Sequence, residues 1–487
     1  MLEPRSLAQR RRRSSLVEVP LDDVQRAAIA LPPGRALLVL GEAGHGKTTV
    51  LLHRVARLAR GGARVAVVVP TEGLAALLQR MLKRLGVDVT VQTYDVFAGR
   101  QARRSFRRLP PESELTPPAV ARLKRCAELL PAIGRLATRP AGRIDDDADA
   151  PPVRERAWRG DLQHLHGDRR LVEEVAGRAG LGAHVVEAVL ERSNVQFSAT
   201  TERAWSHVTD RARLVAVDGR RLDAGTSTEV ASTIDVEDYA VLFALERQRA
   251  ALAGEAARAL RTFDVIAIDE AQELSLLELE LLGRSVAPGG SLVVAGDADQ
   301  HTDETGAFVG WDEAMVALGA EAHERVTLEV GYRCPPAVVD AVRAVRDGGK
   351  ASLDVLRFAT EHELAAALGA EMSGILARDR NGAVGVVCRR ATTARRIAGL
   401  LKEHVPVRLV FDGHFLPRGP VQVSVVTDIK GLELDWIVVP DATGSEWGED
   451  PASRRALYVA LTRARHQVVM AAVGQPSPLL FTSGCRS

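Results

Sequence analysis

The sequence predicts an α/β protein with two parallel sheets and a mainly helical insertion in the first of them. Three observations predict it. From Ala36, short β-branched runs alternate with amphipathic stretches; this alternation breaks near Arg100 and resumes after about Glu255; and a second series of apolar runs follows from Ala383. Two sheets imply a cleft between them.

In order along the chain, ALLVL (Ala36 to Leu40) reads as a buried strand and LLHRVARLAR (Leu51 to Arg60) as a helix. RVAVVVP (Arg64 to Pro70) and LAALLQRMLKRL (Leu74 to Leu85) repeat the pair, the signature of a parallel sheet covered by helices. Residues 101–254 break the pattern. They are rich in Arg, Pro and Asp at RPAGRIDDDADAPP (Arg139 to Pro152) and helical in pattern at RLVEEVAGRAGLGAHVVEAVL (Arg170 to Leu190). DVIAID (Asp264 to Asp269) and SLVVAGD (Ser291 to Asp297) rejoin the first sheet. AVGVVC (Ala383 to Cys388), VRLVF (Val407 to Phe411), VQVSVV (Val421 to Val426), DWIVV (Asp435 to Val439) and HQVVMAAV (His466 to Val473) supply the second. The expected organisation is a basic tail at 1–20, a first unit at 21–100 and 255–330, the insertion at 101–254, and a second unit at 331–487.

Composition narrows the class. The chain has 487 residues, 46% hydrophobic and 26% charged, as in a globular protein of two to four domains. No long apolar segment follows the basic run Arg10 to Arg13, so neither a signal peptide nor a membrane span is expected, and the cytoplasm is the expected location. Cys126, Cys334, Cys388 and Cys485 lack C-x-x-C spacing and read as reduced thiols. The net charge of +1 does not exclude nucleic acid, because a basic groove need not raise the charge of the whole surface. Only six of the 64 basic residues are lysine (Lys47, Lys83, Lys124, Lys350, Lys402, Lys430), so a lysine in this chain marks a position where a compact ammonium is wanted.

The sharpest local signal is Gly41-Glu42-Ala43-Gly44-His45-Gly46-Lys47-Thr48-Thr49, which fits G-x-x-x-x-G-K-[ST] directly after an apolar strand and opening a helix. The glycines let backbone N–H groups face phosphates, Lys47 reaches the β and γ phosphates of ATP, and the Thr48 hydroxyl ligates Mg2+. Asp269 and Glu270 end the strand DVIAID and open DEAQEL. Beside such a loop, a strand-end Asp is the expected second magnesium contact and the adjacent Glu polarises the attacking water. Acids at a helix N-terminus are the plainer reading of DE alone.

At this point the sequence resembles the UvrD and Rep class of superfamily 1 helicases, over roughly residues 20 to 100 and 255 to 475, because DEAQEL is joined by further family elements in order. The resemblance implies two RecA-like domains with ATP held between them. LDDVQRAAI, with Gln25, looks like the segment that reads adenine. VVVPTEGLAALL with Thr71, VQTYDVF with Thr93 and Tyr94, and TDIKGLELD with Thr427 resemble segments that contact the nucleic-acid strand. GDADQ, with Asp297 and Gln300, resembles the motif coupling the γ-phosphate to that strand. LEVGYRCP carries Tyr332, which would stack on adenine, and Arg333; YVALTRAR carries Arg463; and Glu433 would meet the ribose. Charge develops on the γ-phosphate in transfer, and Arg333 and Arg463, brought from the second sheet, are the candidates to stabilise it. Hydrolysis would then require cleft closure. Lys430 with Gly431 is either a tight backbone approach or a plain turn.

Two departures bear on function. Arg333 and Thr427 are too close in sequence to hold the large insertion that full-size relatives place in the second domain. After Gln300 the family continues with Ser-Ile-Tyr and a stacking aromatic, whereas here His301-Thr-Asp-Glu-Thr-Gly306 follows, and Phe308 and Trp311 come later at positions open to a core role. That continuation and DVEDYAVLFAL (Asp235 to Leu245) look closer to the HelD branch, which acts on RNA polymerase, although that branch's long N-terminal arm has no counterpart in the roughly twenty residues before Leu21.

The expected function is therefore an ATP-driven translocase on single-stranded DNA, with limited 3′ to 5′ unwinding. The alternative is a HelD-like ATPase that grips a protein partner through residues 101–254. A nucleotide-dependent switch without hydrolysis is disfavoured by Glu270, Arg333 and Arg463. His164, His166 and His184 have no nearby cysteine and do not read as a metal site, and Asp145 to Asp149 read as an exposed linker.

Overall fold

The computed structural model describes residues 20–42, 44–106, 109–138, 153–198, 205, 207–217, 219, 221–222, 231, 233–301, 303, 305–329, 336–379, 382–411, 415–416, 419–429, 432 and 434–480. The expectations placed on the basic tail, Ala43, Asp145 to Asp149, Tyr332, Arg333, Lys430, Gly431 and Glu433 lie outside the described residues.

The chain begins with α1 (Asp23–Ala30), β1 (Ala36–Gly41), α2 (Lys47–Arg60), β2 (Val65–Val69), α3 (Glu72–Arg84), β3 (Thr90–Thr93) and α4 (Tyr94–Ser105). The helical stretch follows as α5 (Pro118–Lys124), α6 (Leu129–Ala137), α7 (Val153–Gly167), α8 (Arg169–Arg178), α9 (Ala183–Gln196) and α10 (Val236–Ala253). Next come β4 (Phe263–Ile268), α11 (Leu276–Arg284), β5 (Val286–Gly296), α12 (Trp311–Ala317) and β6 (Glu324–Leu328). These six strands form one sheet in the order β3-β2-β4-β5-β1-β6, with every pairing parallel.

Parallel strands buried on both faces alternate their side chains between two cores, with a period of two. Leu37, Val39, Val67, Val69, Val265, Ala267, Val293 and Ala295 face α1, α2 and α3. Leu38, Ala66, Val68, Ile266, Ile268, Leu292 and Val294 face the other way, into a core shared with α4 to α12. The inserted helices thus complete one side of the first sheet's core, and α4 runs across position 100, where the alternation breaks. Each fully buried Val or Leu here contributes about 1.5–3 kcal/mol.

The second sheet comprises β7 (Val355–Phe358), β8 (Val384–Cys388), β9 (Val407–Leu409), β10 (Val421–Val425), β11 (Leu434–Val439) and β12 (Ala464–Val473), in the order β7-β12-β11-β8-β10-β9 and all parallel. In chain order its helices are α13 (Pro336–Arg346), α14 (Glu361–Arg378), α15 (Ala391–Leu401) and α16 (Pro451–Thr462). Of the strands, β3, β6 and β7 have no counterpart in the apolar patterning. All three lie at sheet edges, where outward positions meet water and the apolar run is lost. Among the described residues, no helix is long and apolar enough to cross a membrane.

Candidate functional site

The site lies at the carboxyl ends of parallel strands, the edge at which open α/β sheets bind ligands. The loop after β1 needs its glycines. Gly44 and Gly46 have φ of +83° and +90°, and a β-carbon on Gly46 would stand 2.6 Å from Gln25 Nε2. Lys47 is buried, donates to the carbonyls of Gly41 (2.6 Å) and Glu42 (3.1 Å), and lies 3.6 Å from Asp297 Oδ2. Gln25 caps α1: its Oε1 accepts from Asp22 N–H (3.2 Å) while its Nε2 faces the His45 carbonyl (3.4 Å). The expected adenine contact would have to use the second hydrogen of that amide. The ring of His45 is held by the Leu328 carbonyl at 2.7 Å.

Thr48 Oγ1 donates to Asp269 Oδ2 at 2.8 Å, so the hydroxyl that follows the lysine meets the carboxylate that ends β4. Two hard oxygens at that distance suit Mg2+. Burial, then the charge of Glu270, push the Asp269 carboxyl up to about 7, against the pull of Thr48 and Lys47. A carboxylate so disfavoured is stabilised by a divalent cation, so the donor set fits the ion; when bound, magnesium would neutralise charge on the phosphate oxygens. Thr49 is buried in the first turn of α2.

Glu270 has φ +55° and is the one non-glycine residue with positive φ among the described residues. Such a conformation costs about 1–3 kcal/mol and persists where its surroundings impose it. Here the Glu270 N–H bonds Asp269 Oδ1 at 3.1 Å and its carbonyl accepts from Glu273 N–H at 3.0 Å, while Gln272 holds the side chain: its Nε2 donates to Glu270 Oε2 at 2.7 Å and its Oε1 accepts from Asp297 N–H at 3.0 Å. Gln272 thereby ties DEAQ to GDADQ. Patterning did not single it out, although its place two residues after Glu270 would have been a signal.

The second half reaches this site at several points. Tyr458 donates to Asp297 Oδ2 (3.2 Å), which also accepts from Gln300 Nε2 (2.7 Å). Arg463, at the C-terminal cap of α16, donates to Gln300 Oε1 and is itself buried. From α13, Arg346 pairs with Glu42 and Arg343 Nε lies 3.8 Å from the same carboxylate. Tyr458 was quoted only as part of its motif, and neither α13 arginine was anticipated. A cavity of about 370 Å3 opens between Gly41, Glu42 and His45 on one side and Asp297, Asp299, Trp311, Leu328 and Arg343 on the other. Phe308 and Trp311 pack on the first core, their ring centroids 4.7 Å apart.

The strand-contact candidates divide. Thr71 and Thr93 cap α3 and α4, accepting from Leu74 N–H (3.3 Å) and Val96 N–H (3.4 Å), at the ends of the adjacent strands β2 and β3. Thr427 is exposed on the second half. Tyr94 is a correction. Its ring is 3% exposed within the first core, so it offers no face to a base, because the helix it opens turns its apolar side inward. His166 is likewise interior: it bonds Asp238 at 3.1 Å, and no cluster of metal-ligating side chains occurs among the described residues.

A phosphate loop beside a strand-end Asp–Glu pair, reached by side chains of a second parallel sheet, defines a P-loop nucleotide-binding protein with its site between two halves. Residues 21–302 match the UvrD/REP helicase N-terminal domain and residues 420–471 the UvrD-like helicase C-terminal domain. The chain belongs to the UvrD/Rep family of superfamily 1 helicases, whose members hydrolyse ATP, and its two parallel sheets are the two RecA-like domains of that family. Among solved structures it is similar to the C-terminal domain of a possible DNA helicase from Lactobacillus plantarum WCFS1, at 21% identity over 31% of this chain and 92% of that one, with a TM-score of 0.27. The comparison with curated proteins found no match.

Proposed function

We propose that the chain is an ATP-driven translocase on single-stranded DNA, moving 3′ to 5′ with limited unwinding as the cleft between its halves opens and closes. One observation carries this reading: Gln300 holds Arg463 from the other half while sharing Asp297 with Tyr458, and Asp297 lies beside Lys47. Phosphate chemistry at Lys47 and the relative position of the halves are thus joined by one set of side chains.

In this reading the backbone from Gly41 to Thr49 and the Lys47 ammonium bind the phosphates, and Thr48 with Asp269 hold magnesium. Glu270, kept in place by Gln272, takes a proton from the attacking water, while Arg463 stabilises charge on the γ-phosphate. Tyr332, Arg333 and Glu433 take the roles their motifs imply. Thr71, Thr93 and Thr427 line the strand's path. The units run as the sequence suggests, 21–100 with 255–330, 101–254, and 331–487.

The test is steady-state ATPase activity with and without oligo-dT at two salt concentrations, beside Glu270→Gln. Stimulation that fades as salt rises and vanishes in the variant is expected. Turnover indifferent to DNA would overturn the translocase and leave a HelD-like ATPase acting on a protein held by residues 101–254.

A further inference from the structure

The inserted helices reach the hydrolytic edge of the first sheet through consecutive basic residues at the end of α5. Lys124 points into the helical layer, its ammonium 2.8 Å from Asp235 Oδ2, 2.9 Å from Asp238 Oδ2 and 3.3 Å from Gln196 Oε1. Arg125 reaches the ATPase half instead. Its Nε and Nη2 bond the two oxygens of Glu278 at 3.0 and 3.1 Å, Nη2 also donates to the Glu273 carbonyl at 2.6 Å, and Nη1 donates to Thr305 Oγ1 at 2.6 Å and to Asp303. These bonds match the five N–H donors of a guanidinium, a planar array an ammonium cannot reproduce. Gly306 lies against its face, where a β-carbon would come within 3.4 Å of Cζ.

The segments so joined are those that hold the hydrolytic groups. Glu273 ends the turn that starts at Glu270, and the ring of His301, next after Gln300, bonds the Gly306 carbonyl at 3.0 Å. Asp303, Thr305 and Gly306 are the residues by which the run after Gln300 departs from the family's usual sequence. In this chain that run receives an arginine from the insertion. We propose that Arg125 is a positioning residue for ATP hydrolysis, fixing from the insertion both the Glu270–Glu273 turn and, after Gln300, Asp303, Thr305 and Gly306, so that force on the insertion changes turnover rather than nucleotide affinity. Displacing the insertion strands the buried carboxylate of Glu278 and the partly buried one of Asp303, so the insertion and these residues move together. The proposal rests on the ATPase reading above.

The experiment uses the full chain as wild type, Arg125→Ala, Arg125→Lys and Asp303→Asn. It reads kcat and KM for ATP, the Kd of a fluorescent ATP analogue, and hydrogen exchange without nucleotide. Arg125→Ala should lower kcat by about 10- to 100-fold while analogue Kd stays within about twofold, as for misplaced rather than missing groups. Exchange should rise across residues 270–274 and 297–306, and Arg125→Lys should recover part of kcat. Asp303→Asn keeps the bonds to Glu278 and the Glu273 carbonyl and serves if Arg125→Ala does not fold; its kcat should fall by about threefold or more, with the rise in exchange confined to 297–306. An unchanged kcat in either folded variant, or a loss matched by weaker analogue binding, would overturn the proposal. A wild type without ATPase activity would sink the parent reading alone, and exchange at 297–306 would still decide for or against Arg125.

Discussion

The Tyr458 hydroxyl stands 3.2 Å from Asp297 Oδ2, joining the helix before β12 to the end of β5. Gln300 Nε2 shares that oxygen at 2.7 Å and Lys47 Nζ lies 3.6 Å from it. A nucleotide that draws Lys47 away would leave Asp297 to Tyr458 and Gln300, and so change how firmly the halves are held. Tyr458→Phe keeps the packed ring and removes the bond. It should cost about 0.5–1.5 kcal/mol of stability and lower ATP turnover by about threefold to tenfold. Thermal melting and steady-state kinetics check the pair; full turnover would remove Tyr458 from the coupling.

In the phosphate loop, Gly46 leaves no room for a side chain. With φ +90° and Gln25 Nε2 2.6 Å from a built β-carbon, Gly46→Ala must distort the phosphate loop. Nucleotide affinity should fall by about 100-fold or more, a loss of roughly 2.7 kcal/mol. Gly399→Ala, at an exposed position in the last turn of α15 with nothing near the added carbon, is the control and should add up to about 0.5–1 kcal/mol of stability. Titration with a fluorescent ATP analogue distinguishes them, and equal affinities would contradict this account of the loop.

Lys124 is almost fully buried, with Asp235 and Asp238 around its ammonium and Arg192 Nη2 2.6 Å from Asp235. Replacing the cation alone leaves carboxylates uncompensated, so Lys124→Met should destabilise by about 3–5 kcal/mol. Urea denaturation measures it. A loss under 1 kcal/mol would mean that Arg192 and Gln196 suffice for both acids.

The same cluster makes stability depend on pH. Burial, then the Lys124 charge, hold the His166 imidazole below its usual 6.5, so it stays neutral in the fold. As pH falls through 6.5, the unfolded chain binds a proton there that the folded one does not, and stability drops. Burial opposes ionisation of Asp235 and Asp238, but the Lys124 charge and the hydrogen bonds from Lys124, Arg192 and His166 together outweigh it and hold both below 3.8, so their contribution is intact above that value and is lost only in stronger acid. Asp269 and Glu237, pushed up to about 7 chiefly by burial, bind protons in the fold over the same range and act in the opposite sense, so the readout is a difference: from pH 7.5 to 5.5 the urea midpoint of wild type should fall relative to that of His166→Gln. Identical slopes in wild type and variant would refute the assignment to His166.

Sequence alone determined what depends on near neighbours in the chain. The loop from Gly41 to Thr48, the strand ends at Asp269 and Asp297, and the central strands of both sheets were all legible. A phosphate loop is local backbone geometry, and a strand buried on both faces must be apolar throughout. Edge strands such as β6 escaped because water meets their outward positions. Only the tertiary structure decided which distant polar groups meet: Tyr458 at Asp297, Arg463 at Gln300, and Arg125 against Glu278, Asp303 and Thr305. It also decided that Tyr94 is core and that His166 belongs to a buried ionic cluster. Among 64 basic residues no spacing distinguishes Arg125. Its role comes from five directed hydrogen bonds to groups up to 180 positions away, and such directionality exists only once the chain has closed around it.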